Sequence, residues 1–342
     1  YTITDDFTAY GGSAAVYSAR CSEDQIEYVI KEVFPNKAGR FKRENGIVCA
    51  EDSNDGRSQK MLEKYRAKLV QEQALGSRCF NSTILAVPVR RIIQPDSITI
   101  KGQRFTDVKH SPFAVLDSMR KKSMSFAKVL EEIRQEKSED HPLRTGGCPT
   151  LYTTACLMEH VLLTLQAIHR QNVLFGDLHM DNVLFSECCL EEKRVGMACF
   201  LDFGCARELI DGEKTAVIKD DVFSTRGFIP PELLDYNDGT LQLTRQADIF
   251  SAGCLMLRCL VPEDDWDYLG SSPEIDSVAI LPSDAKRLGI NDSLCRKVND
   301  ILSRAVHPDP EKRYPSADAM LKVIQELKRD TEPPKYLLPK AP

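Results

Sequence analysis

The chain has 342 residues, 42% of them hydrophobic, and a formal net charge of −6 at neutral pH. That length is enough for one bilobal unit or two domains around a sizeable core. The acidic balance excludes the broad basic surface that nucleic-acid binding requires. The apolar runs are interrupted short of the roughly 18 residues of a membrane span, and the opening "YTITDDFT" has neither the basic nor the apolar region of a signal peptide. No membrane span and no nucleic-acid partner are therefore expected. Of the twelve cysteines, Cys156, Cys199, Cys254 and Cys259 sit in apolar segments, and nothing reads as paired C-x-x-C. Reduced thiols acting as small hydrophobes in a cytoplasmic compartment are the expectation.

In chain order, "AVYSAR" and "EYVIKEV" are β-rich runs separated by the polar "CSEDQI", a hairpin pattern. Residues 34–60 are polar, carry "NG" and "NDG" turn signals, and read as an exposed insertion and candidate partner surface. "QKMLEKYRAKLVQEQALG" has helical spacing, with Gly76 as its expected stop. "ILAVPVRRIIQ", "SITIKGQRFT" and "PFAVLDSM" read as three further strands. After Met119 the pattern turns helical: "SFAKVLEEIRQEK", then "LYTTACLMEHVLLTLQAIHRQ", apolar nearly all round and so predicted buried, and from Thr244 "ADIFSAGCLMLRCL", "SLCRKVNDILSRAV" and "SADAMLKVIQELKRD". Strands first and helices later predict an α+β protein. The expected divisions are residues 1–118, 119–330 and a tail at 331–342.

Several positions have chemical potential. Lys31 lies in a strand with a buried face, fifteen residues after Val16 at the end of "AYGGSAAV". Gly11 and Gly12 in that turn let backbone N–H groups approach a phosphate; a tight hairpin turn is the plainer reading. "CFLDFGCA" ends a strand at Asp202 with a glycine two residues on, and "DLHMDN" places Asp177 and Asn182 in a loop twenty residues upstream of it. Asn182 and Asp202 offer hard oxygens of the kind Mg²⁺ prefers.

The order of Gly-containing turn, strand Lys, helix Glu, "DLHMDN", "DFG", "PPE", "DIFSAG" and a late Arg resembles the eukaryotic-like protein kinase family, from about Phe7 to Asp330. The resemblance implies a two-lobed protein-kinase-like fold with a mainly β N-lobe, one key helix and a helical C-lobe, ATP and Mg²⁺ as cofactors, and a protein substrate phosphorylated on Ser or Thr. It implies that Lys31 holds the α- and β-phosphates, with Glu72 as its helix partner and Glu63 as the fallback. Leu116 would border the adenine site, and backbone groups of Asp117 and Met119 would bond adenine. Asp177 would orient the acceptor hydroxyl and take its proton, Asn182 and Asp202 would bind metal, Asp248 would bond the catalytic-loop backbone, and Glu232 would pair with Arg313.

The catalytic loop departs from the family's H-R-D-L-K-x-x-N. It reads Phe175-Gly176-Asp177-Leu178-His179-Met180-Asp181-Asn182. Phe175 is expected to pack on the Phe of D-F-G. Gly176 removes the Arg that pairs with a phosphorylated activation segment, so activity is expected not to depend on phosphorylation at Thr225 or its neighbours. His179 replaces a Lys and is the position where phosphate contact is weakest. Ala9 and Ala14 occupy the first and third glycine positions of the turn. Two alternatives stand beside the protein kinase: a small-molecule kinase of the aminoglycoside-kinase type, suggested by "FGDLH", and a pseudokinase scaffold that binds ATP.

Overall fold

The computed structural model describes the chain except residues 5–8, 11–13, 36–38, 83–88, 101–102, 107–111, 118–122, 136–143, 146–147, 187–197, 219–226, 235–239, 262–281 and 334–342. The chain divides into two compact units, Tyr1–Asn81 with Val87–Lys121, and Ser82–Ala86 with Lys122–Pro342.

The first unit is built on an antiparallel sheet. Its strands are β1 (Thr2–Ile3), β2 (Ala9–Tyr10), β3 (Ala14–Arg20) and β4 (Glu27–Val33). Two-residue connection at Asn45-Gly46 joins β5 (Phe41–Glu44) to β6 (Ile47–Ala50), and helix α1 (Gly56–Ser82) follows. The unit is completed by β7 (Val89–Ile93), β8 (Ser97–Ile100), β9 (Gln103–Thr106) and β10 (Phe113–Asp117). The main sheet runs β1-β3-β4-β10-β7, with β2 also paired to β3, while β5–β6 and β8–β9 are separate hairpins. Side chains alternate across the sheet, so Lys31 and Glu32 point to opposite faces of β4.

Three sequence expectations are corrected here. "SITIKGQRFT" is two antiparallel strands, with Ser97 opposite Thr106. The Phe34–Lys60 segment is more than an exposed loop: Asn45 and Gly46 take positive φ of 50° and 80°, the hairpin-forming turn, and Phe41, Val48 and Ala50 are buried. The "NDG" signal marks a helix start, where the Asp55 carboxylate accepts from the backbone N–H groups of Arg57 and Ser58. Finally, α1 continues through Gly76 to Ser82. The cost of a mid-helix glycine, about 1 kcal/mol, is outweighed by a buried stripe that runs Leu62, Tyr65, Leu69, Glu72, Leu75, Cys79.

The second unit is helical. In α2 (Phe126–Gln135) the buried residues Phe126, Val129, Leu130 and Ile133 form one face. Helix α3 (Leu151–Arg170) is capped by Thr150, which accepts from the Thr153 N–H. It has the length and hydropathy of a membrane span but is buried inside this unit. Its Glu159 accepts from Gln325 and Lys328 of the helix Ala317–Thr331 at 3.1 and 2.5 Å. The helices Gln246–Leu260 and Asp292–Ala305 complete the bundle. A small antiparallel sheet of Ser123–Ser125, Val183–Ser186 and Ala198–Phe200 sets the loops of the candidate site, with Val183 opposite Phe200. Every described cysteine is free.

Candidate active site

In the first unit, strand register collects the expected nucleotide residues. Val16 and Ala114 flank Lys31 on the two neighbouring strands, and Leu116 lies opposite Val29, two residues away on the same face. Lys31 Nζ donates to both carboxylate oxygens of Glu72, at 3.1 and 2.8 Å. Both side chains are buried. Of the two helix candidates, Glu72 meets the lysine and Glu63 is exposed. The distinction was legible in part: Glu72 sits on the apolar stripe of α1, three residues after Leu69 and three before Leu75, whereas Glu63 is nine residues, about two and a half turns, away. Asp117 ends β10 opposite Tyr28. Gly11, Gly12 and Met119 lie outside the described residues, as does Thr225.

In the second unit, the strand pair Val183–Ser186 and Ala198–Phe200 brings Asn182 and Asp202 to the same end. The Leu201 N–H donates to the Asn182 carbonyl at 2.8 Å, one residue before Asp202. Asn182 Nδ2 donates to the Asp177 carbonyl at 3.0 Å and to Asp177 Oδ2 at 3.4 Å. This leaves the amide oxygen as the donor atom suited to a cation. Asp202 has φ 56°, and its carboxylate accepts from the Gly204 N–H at 3.1 Å. A left-handed aspartate is tolerated because its short side chain bonds locally, and such conformations concentrate at functional sites. Asp177, Asn182 and Asp202 are therefore brought together as one oxygen-rich group.

The loop around Asp177 is held from behind. Asp248, 1% exposed, accepts from the Phe175 N–H at 2.9 Å, the Gly176 N–H at 2.8 Å and His169 Nε2 at 2.8 Å. His169 went unnoticed in the sequence; its signal is its position at the C-terminal end of a buried helix, six residues before Phe175. The Phe175 ring packs edge-on against Phe203 with centroids 5.2 Å apart, and against Phe200 at 5.0 Å. Gly176 has φ 81°, and a Cβ there would lie 2.8 Å from the Cys205 carbonyl oxygen. The glycine thus permits the close passage of this loop over the turn that follows Asp202, a reason that sequence reading did not supply.

His179 caps the turn Met180–Asn182. Its Nδ1 accepts from the Asp181 N–H at 3.3 Å, which places the ring proton on Nε2, 3.7 Å from Asp177 Oδ2. Burial pushes its pKa below the usual 6.5, against the pull of Asp181 and Asp202. The imidazole is neutral at pH 7 and offers one N–H beside Asp177. Farther along, Arg313 donates in a two-pronged arrangement to Glu232, at 2.9 and 2.7 Å.

Comparison with known proteins identifies the family. The family description "Protein kinase domain" matches residues 104–323, more than half of the chain. A serine/threonine-protein kinase of Schizosaccharomyces pombe is 25% identical over 94% of this chain and 79% of its own length. The developmentally-regulated protein kinase 1 of Dictyostelium discoideum is 23% identical over 55% of this chain and 24% of its own length. The human protein kinase C delta type is 30% identical over 37% of this chain and 18% of its own length. The chain thus spans about a quarter or less of two of these relatives. With the family match added to the Lys31–Glu72 pair and the Asp177–Asn182–Asp202 group, the chain belongs to the protein kinase family.

Proposed function

We propose that this chain is an ATP- and Mg²⁺-dependent protein kinase that phosphorylates Ser or Thr hydroxyls and works without a phosphorylated activation segment. The observation that carries the reading is the Asp177–Asn182 bond beside Asp202, which couples an acceptor carboxylate to two hard oxygen donors. Those donors fit Mg²⁺, which favours a small number of protein oxygens together with phosphate oxygens. Bound there, the ion would neutralise phosphate charge during transfer.

The remaining work falls to the chain's own residues. Lys31, fixed by Glu72, holds the α- and β-phosphates. Asp177 orients the acceptor hydroxyl and accepts its proton as the acceptor oxygen bonds the γ-phosphorus and the bond to the ADP oxygen breaks. His179 Nε2–H supplies a neutral donor where the family has a cation. Gly176 provides no side chain for a phosphate on the activation segment. The Glu232–Arg313 pair supports a protein acceptor over a small molecule, because this part of the chain is where protein kinases differ from the small-molecule enzymes. A cytoplasmic setting is part of the same proposal.

The test is transfer from γ-labelled ATP with Mg²⁺, comparing wild type with Asp177→Asn on generic protein acceptors and small hydroxylated molecules. Label on protein that disappears in the variant is the expected result. Label confined to a small molecule would move the chain to the aminoglycoside-kinase type, and retained ATP binding with no transfer would make it a scaffold.

A further inference from the structure

The hairpin β5–β6 touches both elements that carry the Lys31–Glu72 pair. On the strand side, Arg43 donates to both oxygens of Glu32, the residue next to Lys31 on β4, and the bond from Nη1 measures 2.9 Å. Arg43 also donates to Tyr17 Oη at 3.3 Å and to the Gly46 carbonyl at 3.2 Å. Tyr17 Oη donates in turn to Glu32 Oε2 at 3.1 Å. Glu32 is 2% exposed, so this carboxylate is satisfied by the hairpin's arginine and a tyrosine of β3. Burial pushes the Tyr17 phenol up to about 12, which keeps it protonated as a donor.

On the helix side, Arg66 of α1 donates to the Val48 carbonyl of β6 at 3.0 Å. Arg66 lies six residues before Glu72, within the same rigid helix. The tip of the hairpin is fixed as well. A Cβ on Gly46 would lie 2.8 Å from Phe105 Cβ and 3.1 Å from Ile98 Cδ1, so the turn packs directly on β8–β9. The hairpin is therefore seated at three points around the end of β4, and two of them are the strand of Lys31 and the helix of Glu72.

We propose that the Phe41–Ala50 hairpin is a brace that sets the position of α1 against β4, and that Arg43 and Arg66 are positioning residues for the Lys31–Glu72 pair. The proposal rests on the kinase reading for its catalytic consequence. Its geometric core does not: a helix nearly 40 Å long, at 1.5 Å per residue, meets the strand at the buried Lys31–Glu72 pair, and the hairpin ties the two elements at another place. Holding Lys31 and Glu72 in register keeps the phosphate-binding ammonium in place, and a displacement of about 1 Å in such a group costs on the order of 10²-fold in rate.

The test uses the full chain with Arg43→Met, Arg66→Met and Arg66→Lys, measured by hydrogen–deuterium exchange and by transfer kinetics with varied ATP. Arg66→Met serves where Arg43→Met does not fold, because Arg66 is only half-buried. Expected are faster exchange within Leu62–Leu75, unchanged exchange in β10, kcat/KM for ATP lower by about 10- to 100-fold, and recovery in Arg66→Lys, which keeps a donor for Val48. Unchanged α1 exchange in folded variants overturns the brace. So does loosening spread evenly across the unit with kcat/KM unaltered, which marks a general stabiliser. A wild-type chain that transfers no phosphate refutes the kinase reading, while the exchange measurements still decide the brace.

Discussion

Asp248→Asn is the substitution whose consequence the structure constrains most tightly. The carboxylate is buried and receives three donors, with Phe175 N–H and His169 Nε2 on Oδ2 and Gly176 N–H on Oδ1. An amide keeps the shape but has one oxygen. If that oxygen takes the Oδ2 place, its NH₂ faces the Gly176 N–H. If it takes the Oδ1 place, the NH₂ faces the Phe175 N–H; His169 can change tautomer and accept, but a backbone N–H cannot. In either orientation one buried backbone donor loses its acceptor, a cost of about 1–3 kcal/mol. Charge assistance is lost on the others, so a total near 2–4 kcal/mol is expected, read as a shift in the urea midpoint without a change in slope. The loop carrying Asp177 loosens with it, so kcat should fall while the KM for ATP, set largely elsewhere, changes little. A variant within 0.5 kcal/mol of wild type and with full kcat would refute the account of Asp248 as the anchor of this loop.

Gly176→Ala should be destabilising despite the smallness of the change. It combines a positive φ of 81° with a Cβ 2.8 Å from a carbonyl oxygen, and the backbone part alone is worth roughly 1–2 kcal/mol; thermal unfolding checks it, and a neutral or stabilised variant would contradict the close approach to Cys205. His179 predicts a pH effect with a definite sign. Its folded pKa is depressed by burial, so below about pH 6.5 the unfolded chain binds more protons and stability is lost as the pH is lowered. His179→Gln should remove that contribution, so its unfolding free energy should fall less than wild type's between pH 7.5 and 5.5, and an equal fall in both would refute a neutral, buried His179.

The candidate catalytic residues could be picked out in the sequence because their types and short spacings carry the resemblance to the protein kinase family. Asp177 and Asn182 stand five apart in a loop, Asp202 follows a strand, and Lys31 lies in the β-rich run "EYVIKEV". Phe175 packs on Phe203, as the resemblance implied for the residue at that position of the loop. The errors had a common origin in long-range packing. Gly76 was taken as a helix stop on local propensity, but the burial of Cys79 beyond it carries α1 onward. "SITIKGQRFT" reads as a single strand, and its division into two appears only in the pairing of Ser97 with Thr106. The polar Phe34–Lys60 segment reads as exposed because its buried residues, Phe41, Val48 and Ala50, are few and scattered, and its contacts are with β4 and α1 elsewhere in the chain.

The sequence by itself therefore determined the α+β character, which depends on periodicity, and the motif order whose resemblance to the protein kinase family pointed to Lys31, Asp177, Asn182 and Asp202. Tertiary structure alone decided that Gly176 is required by the Cys205 carbonyl, that His169 joins the donors on Asp248, and that the hairpin reaches both β4 and α1. Each of these depends on which surfaces meet after the chain folds back on itself. That is a matter of burial and close approach between residues far apart in the chain, which local pattern does not encode.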